Sequence, residues 1–173
     1  MPHAPTRYIA RLRDAQLTGP EFSAPCVFGE AGLIDASEKR EGDKASPIGI
    51  WPVRRALFRA DRMEAPDTAL RLDRIDPQDG WCDDPNDAGY NRQVRLPYRG
   101  RHEVLTRTDQ LYDLIVILGH NDDPPVPGRG SAIFLHCQNP DGRPTLGCLA
   151  LPPQDLIELV RRLEPGDEIE IAR

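Results

Sequence analysis

Four side chains in the last third of the sequence are of types that do covalent or metal chemistry: His120, His136, Cys137 and Cys148. A cysteine attacks a carbonyl as its thiolate, so it needs a base to take the proton and donors for the oxyanion that develops. Cys148 follows Gly147, where the backbone can turn sharply and leave N–H groups facing a substrate carbonyl. His136 ends the apolar run Ala132 to Leu135, a rigid mount for a general base. An imidazole in contact is expected to pull the thiol below its usual range, so that alkylation of Cys148 persists below pH 8. The plainer reading stands beside this one: a cysteine next to glycine packs as a small hydrophobe, and a histidine at a strand end is structural. A metal held by all four residues is disfavoured, because adjacent His136 and Cys137 on a strand point to opposite faces. No metal or cofactor is expected.

The elements that must carry these groups are clearest toward the C-terminus. Leu111 to Leu118 and Gly130 to His136 read as buried strands joined by the polar, proline-rich stretch 121–129. Residues 153–163 form the best helix, with Leu156, Ile157, Val160 and Leu163 on one face and Pro153 at its start. Pro165-Gly166 ends it, and Asp167 to Ala172 alternates as a last strand. Upstream, residues 24–34 read as a hairpin, 38–45 as an exposed charged loop, and 46–53 as a turn feeding a short extended piece. Residues 76–101 read as a long structured loop held by Trp81, Tyr90 and Tyr98. His102-Glu103 reads as a surface pair.

Composition sets the outer limits. The chain of 173 residues fits one domain, residues 1–173, with residues 1–20 (His3 among them) read as an N-terminal segment open to mobility. Its 18 prolines argue against a helical bundle and for short strands joined by rigid turns. No apolar run approaches the ~20 residues that span a bilayer. The net charge of −6 lowers the prospect of nucleic-acid binding, which wants a basic field. The first residues contain no secretory-signal pattern. Cys26 and Cys82 lie beside loop residues and are the natural disulfide pair in an oxidising compartment; the other reading keeps both reduced as packed hydrophobes. The sequence does not fix the oligomeric state.

Three strings in order, Lys39-Arg40-Glu41-Gly42-Asp43 with Ser46-Pro47-Ile48-Gly49, then Gly130 to His136, then Pro144 to Leu151, resemble the catalytic core of the L,D-transpeptidases of the YkuD family. Trp81-Cys82-Asp83-Asp84-Pro85, Tyr90-Asn91-Arg92 and His120-Asn121 are similar to one branch of it. The family's S/T-H-G-C reads Thr145-Leu146-Gly147-Cys148 here, and its arginine two residues later is Ala150. The resemblance implies a mainly β fold, a β-sandwich of mixed sheets with one or two short helices and the cysteine at the mouth of a cleft. It implies Cys148 as nucleophile and His136 as base, with the Cys137 carbonyl orienting the imidazole. Gly147 and Cys148 N–H groups would serve the oxyanion, with Thr145 in support. Tyr90, Asn91, Arg92, His120, Asn121 and Ser131 would contact substrate. The implied reaction is acyl transfer on peptidoglycan stem peptides through a thioester, in the periplasm or cell envelope, with the cytoplasm as the alternative given the lack of a signal pattern. The alternatives are an L,D-carboxypeptidase or amidase acting on the same peptides, or an inactive peptidoglycan-binding module.

Overall fold

The computed structural model describes residues 4–173, so His3 lies outside the described residues. Among the described residues, thirteen strands and one α-helix follow one another. Arg7–Arg11 (β1), Gln16–Gly19 (β2) and Phe22–Pro25 (β3) form an antiparallel meander. Within the N-terminal segment, Arg7–Arg11 and Gln16–Gly19 are thus sheet, joined by a 3-10 turn at Leu12–Asp14. Leu33–Asp35 (β4) runs parallel to the start of Ser46–Phe58 (β5), so residues 24–34 do not fold into a hairpin.

Strand β5 is thirteen residues long and joins both halves of the main sheet. Its first half pairs with Glu168–Ala172 (β13), which also lies parallel to β1. Its second half pairs with Leu114–Leu118 (β10) and with Leu72–Arg74 (β6). Two prolines make this segment read as a turn and a short piece. Pro52 is tolerated because its carbonyl accepts the Gly119 N–H at 2.8 Å while no ladder bond requires its missing donor. Beyond β10 lie Phe134–Cys137 (β11), antiparallel to it, and Leu149–Leu151 (β12), parallel to β11. Val27, just past β3, bridges to Ala150 of β12, so the path of strands returns on itself.

Alternation then decides which side chain meets which layer. Leu114, Val116 and Leu118 of β10, with Leu135 and Cys137 of β11, face the main core. That core also holds Leu156, Leu159, Val160 and Leu163 from Pro153–Arg162 (α1) and its end, all without solvent exposure. Leu159 thus belongs to the buried face, and Ile157 is only half-buried against it. Ile115, Ile117 and Phe134 point the other way, into a second core with Trp81, Leu105 and Tyr112. A three-stranded sheet covers that side: Asp79–Cys82 (β7), with Gln93–Arg95 (β8) and His102–Val104 (β9) on either side. The loop expected at 76–101 therefore contains two strands of a separate sheet. The layers make a mainly β sandwich of mixed sheets. All four cysteines are free, so Cys26 and Cys82 are not bonded to each other; Cys26 is packed in the main core.

Candidate active site

The alternation on β11 puts His136 on the same side as Phe134, facing the second core, and Cys137 on the other. His136 and Cys148 line one pocket of about 1110 Å³ together with Ser131, Thr145 and Leu146. The Cys137 carbonyl lies 2.8 Å from His136 Nδ1. A carbonyl only accepts, so Nδ1 carries the hydrogen and Nε2 keeps the lone pair. Tyr112 holds the ring from the side, edge to face at 5.4 Å between centroids.

Cys148 sits on a turn braced from three directions. Thr145 Oγ1 accepts the Gly147 N–H at 3.1 Å and donates to the Cys148 carbonyl at 2.6 Å. Ser46 Oγ also donates to that carbonyl, at 3.3 Å. Gly147 has a φ of 130°, and a Cβ there would lie 3.0 Å from the Ala45 carbonyl oxygen, so glycine is required for both conformation and space. Because its N–H is taken by Thr145, Gly147 is not free to donate to an oxyanion in this arrangement. The Cys148 N–H has no acceptor among the described residues and is the available donor at the turn.

The thiol is held in its neutral form. Its S–H donates to the Ala132 carbonyl at 3.0 Å, and Phe134 N–H donates to the sulfur at 3.4 Å. Burial pushes the Cys148 thiol up to about 12, with Glu103 acting in the same direction and the Phe134 N–H and Lys39 opposing. Burial also pulls His136 down to about 4, against the Cys137 hydrogen bond. The expectation of an acidic thiol is not met: desolvation is the largest influence on each group and disfavours the thiolate and the imidazolium alike.

The other expected substrate contacts divide sharply. Ser131 lines the pocket, and its Oγ is buried. Asn91 is a buried brace whose Oδ1 accepts from Trp81 Nε1 and Ala132 N–H, both at 3.0 Å. Its Nδ2 donates to the carbonyls of His120 and Asn121. Asn121 in turn ties Val126 to Gly130. Tyr90 donates to Glu41 Oε2 at 2.5 Å and accepts the Gly130 N–H at 3.0 Å. His120 is buried edge-on against Trp51, at 4.8 Å between centroids, and burial lowers it to about 4. None of these four lines the pocket. Arg92 borders a separate, smaller pocket beside Trp81. Tyr90, Asn91 and Asn121 brace the backbone from Val126 to Ala132 from outside this pocket's lining.

Two charged groups line the wall where an exposed loop and a surface pair are the default expectation. Lys39, expected in a solvated loop, is only 3% exposed and is ion-paired to Asp43, which also accepts the N–H groups of Arg40 and Ala45. Glu103, expected on the surface, lines the pocket and accepts the Tyr112 hydroxyl at 2.6 Å. A run of charges carries no local sign that it folds inward, so neither was available from composition. No group of residues suited to hold a metal ion is present among the described residues, and no helix among them is long and apolar enough to cross a membrane.

Comparison with known proteins shows the family of the chain. The family model of the YkuD L,D-transpeptidase catalytic domain matches residues 4–171. No curated protein matches the chain. Among solved structures, the crystal structure of Mycobacterium tuberculosis L,D-transpeptidase 1 is similar at 13% identity and a TM-score of 0.43. The match covers 98% of this chain and 62% of that one.

Proposed function

Because the chain belongs to the YkuD family of L,D-transpeptidase catalytic domains, we propose that it is a cysteine-dependent acyltransferase of peptidoglycan stem peptides, working in the cell envelope. Cys148 is the nucleophile and His136 the base. The observation that carries this is the shared pocket, with an imidazole whose Nδ1 is committed to the Cys137 carbonyl and whose Nε2 is therefore the basic atom.

The neutral pair defines the order of events. Substrate entry turns the thiol from the Ala132 carbonyl toward His136, and the proton moves to Nε2 as sulfur attacks. The carbonyl attacked is that of the L-centre of the third-position diamino acid. Its developing oxyanion is met by the Cys148 N–H, the unused donor at the turn. The departing D-alanine amine takes the proton back from His136, leaving a thioester on Cys148. An amine of a second stem peptide then attacks the thioester; water in its place gives the carboxypeptidase outcome.

Incubation of purified tetrapeptide muropeptides with the native protein and with Cys148→Ala tests this directly. Cross-linked dimers from the native protein alone are expected, and tripeptide alone would assign hydrolysis. Equal product from Cys148→Ala would refute the cysteine mechanism, and loss of turnover in His136→Ala with the fold intact is the matching expectation for the base.

A further inference from the structure

Charge pairing around the pocket leaves one kind of group over. Every lysine and arginine on the lining already holds a carboxylate, as Arg107 holds Asp109 at 2.7 Å and Arg101 holds Asp83 at 3.0 Å. Those pairs use up Asp83, Asp109 and Asp113. Glu41 and Glu103 remain on the lining, and neither forms an ion pair among the described residues. Each accepts a tyrosine hydroxyl instead, Glu41 from Tyr90 and Glu103 from Tyr112. Glu103 is the one tied to the reacting groups, because the ring of Tyr112 separates it from His136 and packs on that imidazole.

An acyl-enzyme waiting for an amine has a problem that this carboxylate answers. A free alkylamine at neutral pH is an ammonium ion with no lone pair for attack. It must be drawn in as a cation and then lose a proton. The pocket walls offer it no uncommitted anion beyond these two glutamates. Resting on the acyl-transfer reading above, we propose that Glu103 binds the ammonium group of the acceptor peptide and takes the proton it must lose before attacking the thioester.

The surroundings suit a carboxylate that does both. Burial raises the proton affinity of Glu103, and the charges of Asp83 and Glu41 act in the same direction. The Tyr112 hydroxyl and the Arg107 charge oppose them. Cys148 lines the same pocket, and as a thiol it adds no charge of its own. The step balances as follows. The ammonium gives one proton to Glu103 and becomes an amine. Its nitrogen bonds to the thioester carbon, the C–S bond breaks, and the sulfur leaves as thiolate. The second nitrogen proton passes to sulfur through His136, regenerating thiol and neutral imidazole. Glu103 returns its proton to solvent.

Glu103→Gln removes the charge and the basicity while its amide oxygen still accepts the Tyr112 hydroxyl. With tetrapeptide muropeptide as donor and acceptor at pH 7, the ratio of dimer to tripeptide is expected to fall about ten-fold in this variant, the equivalent of ~1.4 kcal/mol in one charge-assisted contact. Hydroxylamine, uncharged at that pH, is the second nucleophile. Its ratio of hydroxamate to tripeptide should stay within about two-fold of native. An unchanged dimer ratio overturns the proposal, and so does a parallel fall with both nucleophiles, which is the mark of a merely structural role. If the native protein consumes no donor at all, no product of either kind forms. That result overturns the acyl-transfer reading together with this one, and is distinct from the failure of Glu103 alone.

Discussion

The neutral state of Cys148 has a measurable consequence in the free protein. Burial carries the thiol from 9.0 to about 12, which at neutral pH leaves ~10³-fold less thiolate than an unperturbed cysteine, about 4 kcal/mol. A more basic thiolate is also a better nucleophile. With a Brønsted slope near ~0.4, the same change returns about 15-fold in rate. The net expectation is alkylation by iodoacetamide about 60-fold slower than that of a small reference thiol at pH 7. The rate should rise close to ten-fold per pH unit between pH 6 and 9, with no plateau. Mass spectrometry of the Cys148 peptide gives the rate at this site, separately from Cys26 and Cys137, which burial raises to about 12 and about 11. His136→Ala should keep the same slope, since a neutral imidazole does nothing for a resting thiolate. A plateau with its midpoint below pH 8, lost in His136→Ala, would refute the reasoning and restore a thiolate–imidazolium pair.

Acid should destabilise the fold through its two buried histidines. Both His136 and His120 are lowered from 6.5 to about 4, so the unfolded chain binds protons that the native state refuses. Stability is complete above pH 6.5 and is lost as pH falls toward 4, by roughly 2 kcal/mol per histidine at pH 5. Urea unfolding at pH 7 and pH 5 should show that loss, and His120→Phe, which keeps an aromatic edge against Trp51, should show about 2 kcal/mol less of it. An identical pH dependence in native protein and variant would contradict this. Asn91→Ala should destabilise by about 2–4 kcal/mol, because it strips partners from Trp81, Ala132, His120 and Asn121 and forces alanine to a φ of 55°. Asn91→Gly, free of the backbone penalty, should recover part of that loss in the same denaturation assay.

What could be read from the sequence follows the range of the interactions involved. Helix α1 and strands β10, β11 and β13 were legible because an apolar period and a nearby Pro-Gly pair are local signals. The length of β5 was hidden by Pro47 and Pro52, whose tolerance depends on where the ladder needs no donor. Strands β8 and β9, three residues each, are too short to show a period, and only their pairing with β7 makes them strands. For the site, Cys148 and His136 emerged from ordered motifs, while Tyr90, Asn91, His120 and Asn121 belong to the same motifs without reaching the pocket. A motif marks residues the site depends on, and does not separate contact from support. Glu103 reads as surface and Lys39 as part of an exposed loop because a charge is placed inside by long-range packing alone.

The supports around Cys148 converge on a single physical purpose. Ala132 and Asn91 both sit in the left-handed region, at φ 53° and 55°, and Gly147 lies at 130°. Non-glycine residues persist there only when neighbours over-determine them. Asn91 does this for Ala132 by taking its N–H, and Ala132 then offers its carbonyl to the Cys148 thiol. Thr145 and Ser46 fix the opposite side of the turn through the Cys148 carbonyl. The sulfur is thus positioned by backbone groups held from behind, not by a charged partner at rest. Thiolate character is what makes a cysteine prone to oxidation and to unspecific alkylation. On the proposed mechanism, Cys148 is then a nucleophile whose position is built in advance and whose proton stays in place until a substrate displaces the Ala132 contact.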